Sequence, residues 1–106
     1  MLTLNEKKAT DELKKILMSK YSLIEFKLFG SKARDKETRE SDIDIFIIIE
    51  ECNWTIEKDI YELCFELSLK YEVLLSPVVY SKDDAQNNII QATPFYQTIA
   101  REGVSI

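Results

Sequence analysis

Apolar residues recur at two spacings along this 106-residue chain, and the switches between them mark its elements. From Asn5 to Ser19, Ala9, Leu13, Ile16 and Leu17 fall on one face among lysines and glutamates, which predicts an amphipathic opening helix. Phe26 to Phe29, aromatic and aliphatic with Lys27 interposed, predicts a strand that stops at Gly30. A second strand is expected to start at Ser41, because Asp42, Ile43, Asp44 and Ile45 alternate strictly. From Ile45 to Ile49 the chain is apolar on both faces, as a central strand covered on two sides requires. Thr55 to Lys70 returns to helical spacing through Ile56, Ile60, Leu63, Cys64 and Leu67 and forms the longest predicted helix. Val73 to Ser81 predicts a third strand, and Asp83 and Asp84 just beyond it suit the opening of a helix. Thr93-Pro94-Phe95-Tyr96 has the cap-then-proline order of a helix start, and Gly103 after Arg101-Glu102 the order of a helix stop. With a short helix after Gly30 the order is α, β, short α, β, α, β, α. This is an α/β (α+β) chain in one domain, residues 1–106.

The segment from Leu28 to Ile49 adds chemistry to this pattern. Gly30 allows a sharp turn and a close ligand approach to the backbone, and Ser31 suits a helix N-cap. Over Ser31, Lys32, Ala33 and Arg34 the first amides of a short helix would point outward, where such groups bind anionic oxygens. Lys32 and Arg34 add positive charge. Asp42 and Asp44, two apart on a strand, share a face, and two carboxylates at the mouth of a buried strand call for compensation. A divalent cation compensates them, and hard oxygen ligands select Mg²⁺ or Mn²⁺ bound jointly with substrate phosphates. Anion cradle and carboxylate pair together read as the two halves of a nucleoside triphosphate site. The plainer reading of each part is a simple turn with its cap and a pair of solvated strand-edge acids.

Gly30-Ser31-x-Ala33-Arg34 followed by Ser41-Asp42-Ile43-Asp44 closely resembles the signature of the DNA polymerase beta-like nucleotidyltransferases, in particular the minimal nucleotidyltransferases of bacteria and archaea. The resemblance implies the nucleotidyltransferase fold, a small mixed sheet of three to four strands flanked by helices. It implies that Asp42 and Asp44 are catalytic and hold the metal, and that Gly30, Ser31, Lys32, Arg34 and Ser41 contact the nucleotide. A nucleophile on a second substrate then attacks the α-phosphorus of ATP or another NTP. Many minimal members are antitoxins that transfer AMP to a tyrosine of a HEPN-type toxin, so the resemblance implies a protein partner of that kind.

The chain departs from the family pattern in two places. Relatives carry a third carboxylate on a later strand, whereas aligning the VVYS ending of Val73 to Ser81 puts Ser76 there. Glu72 would share that strand face but lies four residues away, about 13 Å of strand rise. Where many relatives have a second glycine after the arginine, Asp35 stands. The missing acid keeps a second function class open, a catalytically impaired relative that binds nucleotide or neutralises a partner by contact. Transfer to a small molecule such as an aminoglycoside is a third reading, and it requires a dimer to build the pocket.

A formal charge of −5 argues against an extended nucleic-acid surface but is compatible with one metal-bound nucleotide. Cys52 and Cys64 have no metal-ligand spacing, histidine is absent, and no apolar leader is read at the start, so a cytoplasmic protein with reduced thiols is expected. The Ile45 to Ile49 run is too short to span a membrane. Trp54, Phe95 and Tyr96 are read as core or staple residues ahead of base recognition, Trp54 being the most exposed.

Overall fold

In the computed structural model, which describes residues 2–30, 33 and 42–106, a capping box opens the first helix. Thr3 Oγ1 accepts from the Glu6 amide at 3.2 Å while Glu6 Oε1 accepts from the Thr3 amide at 2.8 Å. Helix α1 (Leu4–Lys20) buries Ala9, Thr10, Leu13 and Leu17. Strand β1 (Leu23–Phe29) leads to Gly30, and β2 (Ile43–Ile49) to helix α2 (Trp54–Tyr71), capped by Asn53, whose side chain accepts from the Ile56 amide at 3.0 Å. Then follow β3 (Leu75–Ser81), two single-turn helices α3 (Lys82–Ala85) and α4 (Asn88–Gln91), α5 (Pro94–Glu102) and the two-residue β4 (Val104–Ser105).

The four strands form one mixed sheet in the order β3-β2-β1-β4. β1 pairs antiparallel with β2 and β4, and β2 pairs parallel with β3. A parallel pair needs a crossover, and α2 supplies it.

Because successive strand residues point to opposite faces, β2 divides its side chains between two cores. Ile43, Ile45, Ile47 and Ile49 join Leu13 and Leu17 of α1 and Ile60, Cys64 and Leu67 of α2 in the larger core. Phe46 and Ile48 join Ala85 and Ile99 in a smaller core on the α5 side. α1 and α2 run antiparallel, tied by Lys70 to Glu12 at 2.9 Å and by Lys20 to Asp59 at 2.8 Å. Tyr21 also donates to Asp59, and Tyr71 to Glu12 at 3.0 Å.

Several expected boundaries move. β1 begins at Leu23 rather than Phe26, because a bulge between Leu23 and Glu25 breaks the period-two pattern there. β2 begins at Ile43, with Asp42 outside the strand. β3 begins at Leu75, because Glu72 caps α2 in the left-handed region, φ 55, and the Val73 amide donates back to Ser68 at 3.0 Å. Glu72 is therefore a helix cap and not a residue on the strand face of Ser76. α4 and β4 are further elements beyond the expected order. Of the expected short helix over residues 31–34 only Ala33 is described, and the loop at 35–40 and Ser41 lie outside the described residues.

Burial pushes the Cys64 thiol from its ordinary value near 9 up to about 12. Above pH 9 the unfolded chain releases this proton while the folded chain keeps it, so stability present below pH 9 is lost as pH rises towards 12. Burial and the Asp59 hydrogen bond likewise raise Tyr21 to about 12, which adds to the loss above its ordinary value of 10. The urea midpoint should therefore fall between pH 8 and pH 10.5, and Cys64→Ala should flatten the slope between pH 9 and 10.

Candidate functional site

Strand pairing brings residues far apart in sequence to one end of the sheet. Phe29, the last residue of β1, lies opposite Asp44 of β2, and Asp44 lies beside Ser76 of β3. Alternation puts Asp44 on the same face as Phe46 and Ile48, the side covered by α5 and not the side covered by α1 and α2.

Gly30 follows Phe29 with φ 74, a left-handed conformation that glycine adopts without strain. A Cβ built there would run into the Asp44 carboxylate, with Asp44 Cγ at 3.3 Å and Cβ at 3.5 Å. The expected turn and the expected acid are thus in direct apposition, and a side chain at position 30 would occupy the space of the carboxylate. Asp42 stands exposed just before β2, two residues ahead of Asp44, and the first amide of β2, that of Ile43, donates to Leu74 O at 2.7 Å.

Gly30, Asp42 and Asp44 are therefore the predicted site residues whose positions are described. Ser31, Lys32, Arg34 and Ser41 lie outside the described residues, as does Asp35. Ala33 is described, and it packs partly buried against the larger core beneath α1. Ser76, the residue expected in place of a third acid, pairs with Asp44 across the sheet. Among the described residues no three His, Cys, Asp or Glu side chains cluster as a metal-ligand set. Asp44 and Ser76, paired across the sheet, and Asp42, two residues before Asp44, carry oxygen donors, the ligand type a hard divalent cation takes together with phosphate and water.

The same end of the sheet carries an aromatic pair that sequence patterning did not connect to the site. Phe95 of α5 stands edge-on to Phe29, ring centroids 5.9 Å apart at 87°, and remains partly exposed. The pairing joins residues 66 positions apart, for which the local pattern carries no signal. Tyr96, by contrast, packs in the smaller core against Phe46, as a core reading expects.

A profile for the nucleotidyltransferase domain matches residues 10–96, from within α1 to α5, and so includes the turn, both aspartates and Ser76. The chain belongs to the nucleotidyltransferase family. A Methanocaldococcus jannaschii protein assigned by name as a protein adenylyltransferase is 36% identical over 103 residues, covering 94% of this nucleotidyltransferase and 96% of that protein. Two more from the same organism, named in the same way, are 43% and 44% identical over 56 and 64 residues. Those matches cover 52% and 59% of this nucleotidyltransferase and 57% and 64% of the relatives' own lengths. A minimal nucleotidyltransferase structure shares the fold with a TM-score of 0.65 at 17% identity, over 94% of this chain and 91% of that one. A toxin–antitoxin crystal structure with AMP-PNP does so with a TM-score of 0.63 at 22% identity, over 91% and 70%. A toxin–antitoxin MntA–HpeT structure carrying two aspartate-to-glutamate substitutions two positions apart has a TM-score of 0.60 at 20% identity, over 90% and 69%.

Proposed function

We propose that this nucleotidyltransferase moves the AMP portion of ATP onto a hydroxyl of a partner protein, as the antitoxin of a HEPN-type toxin. The observation that carries the reading is the apposition of the Gly30 backbone and the Asp44 carboxylate, with the exposed Asp42 two residues before Asp44. Gly30 lets the triphosphate approach main-chain atoms at a point where any side chain would collide with Asp44. Ser31, Lys32, Arg34 and Ser41 are the proposed further contacts to the nucleotide. Asp42 and Asp44 would hold Mg²⁺ or Mn²⁺, which when bound neutralises phosphate charge and favours attack at the α-phosphorus. The acceptor oxygen forms a new bond to that phosphorus, the bond to pyrophosphate breaks, and the acceptor proton passes to solvent. Positioning and electrostatics carry most of such a transfer. A structural neighbour solved with AMP-PNP supports an adenine nucleotide, and relatives named as protein adenylyltransferases support a protein acceptor. Among the described residues no helix is long and apolar enough to cross a membrane, and a cytoplasmic setting supplies both ATP and Mg²⁺.

Ser76 favours a second reading, in which the chain neutralises its partner by contact. A serine beside Asp44 neither accepts a proton at neutral pH nor adds a charged metal ligand. The two readings separate when the protein is mixed with Mg²⁺, α-labelled ATP and the product of the neighbouring gene. Label retained on a tyrosine of the partner, with release of unlabelled pyrophosphate, supports transfer; bound ATP without transfer defeats it and leaves contact.

Gly30→Ala tests the turn itself. An L-residue in this conformation costs about 1–2 kcal/mol, and the new methyl displaces the Asp44 carboxylate. Urea denaturation should show that loss, and calorimetry should show Mg²⁺-dependent ATP affinity falling by roughly tenfold or more, one decade for each 1.4 kcal/mol.

A further inference from the structure

Helix α2 is apolar on two separate sides. Ile60, Cys64 and Leu67 enter the larger core. On the outer side stand Trp54, Tyr61, Phe65 and Leu69, with 68%, 39%, 66% and 66% of their surface exposed. At 3.6 residues per turn these four fall within a sector of about 80°, one stripe running most of the length of the helix. Single exposed apolar residues are ordinary, whereas three aromatics and a leucine aligned on one helix face mark a surface that something covers.

The charges around the stripe identify what kind of surface that is. Glu57, Glu62 and Glu66 flank it, and Glu51 and Glu72 stand beyond its two ends. Lys70 is drawn to Glu12 at 2.9 Å, and Lys58 lies within the stripe itself. The flanks are therefore acidic, in a chain of net charge −5. A second copy would set acid against acid, which disfavours self-association. We infer that the outer face of α2 docks a protein partner whose own apolar surface is rimmed by lysine and arginine.

This surface goes beyond the transfer reading and is independent of it. α2 covers the face of the sheet opposite Asp44, so a partner seated on α2 leaves the carboxylate face open. Docking persists in a protein whose aspartates are neutralised.

Trp54 is the chain's sole tryptophan and lies on the stripe, so its emission reports occupancy directly. The probe is a helical peptide of about five turns with leucine on one face and lysine on the other, compared with a matched peptide carrying glutamate in place of lysine. The leucine–lysine peptide should shift Trp54 emission to the blue and saturate, and the leucine–glutamate peptide should not. Phe65→Ser combined with Leu69→Ser should weaken the response at least tenfold, while Ile89→Ser, at an exposed site on α4, leaves it unchanged. Amide shifts in the unsubstituted protein should localise to Trp54 through Leu69, a readout that needs no variant. Equal response to both peptides, no response, or shifts on another surface would overturn the inference. So would a dimer in sedimentation that the serine variant dissolves, since that assigns the stripe to a second copy.

Discussion

Replacing Asp42 and Asp44 together by asparagine should lower nucleotide transfer by at least about 100-fold while leaving the fold intact, the scale seen when groups that stabilise transition-state charge are removed. Asparagine keeps the size of each side chain and an oxygen acceptor but removes the negative charge that a divalent cation needs. Asp42 is exposed and Asp44 half-buried, so neither substitution opens a cavity in either core. The unsubstituted protein should also melt at a higher temperature when Mg²⁺ and ATP are present together, because a ligand that binds only the folded state stabilises it. The double variant should lose that increment, measured against its own ligand-free melting temperature. Scintillation counting of the labelled partner and a thermal scan at fixed ATP concentration measure the two effects. Undiminished transfer in the variant would remove the carboxylate pair from the mechanism.

Phe46→Ala should produce the largest loss of stability, about 3–5 kcal/mol, the usual cost of truncating a buried phenylalanine. Phe46 is 2% exposed at the centre of the smaller core, edge-on to Tyr80 at 5.5 Å and to Tyr96 at 5.9 Å. That core has few other buried members, Ile48, Ala85 and Ile99, so little remains to fill the space. A domain of this kind has a total stability of about 5–15 kcal/mol, and the variant should be partly unfolded at 37 °C. The urea midpoint and near-ultraviolet circular dichroism read the loss. Ile48→Val on the same face should cost only about 0.5–1.5 kcal/mol, which separates cavity formation from any change to the strand.

The residues legible in the sequence are those whose signals are local. The alternation around Ile43, Asp44 and Ile45 marked the strand, and Gly30 fell at a true left-handed turn. The third strand was legible too, from the apolar run that ends in VVYS. Signals that depend on distant partners were not. β4 is two residues long and carries no periodicity, and the bulge in β1 hid its first three residues. A left-handed Glu72 is a conformation that a non-glycine residue adopts only when the surrounding helix end and strand demand it. The outer stripe of α2 was masked for another reason: a helix apolar on two sides shows the same three-and-four spacing as a helix apolar on one.

The order of strands bears on how this protein stays dispersed. Ile43 to Ile49 is the kind of segment, β-branched and nearly uncharged, that stacks with its own copies into fibrils when left uncovered. It is flanked here by β1 on one side and β3 on the other, so its main chain is never at a margin. Both margins make poor templates: β3 contains Pro77, which has no amide hydrogen to offer, and β4 spans only two residues. Loss of β3 would therefore bare one side of this fibril-prone segment.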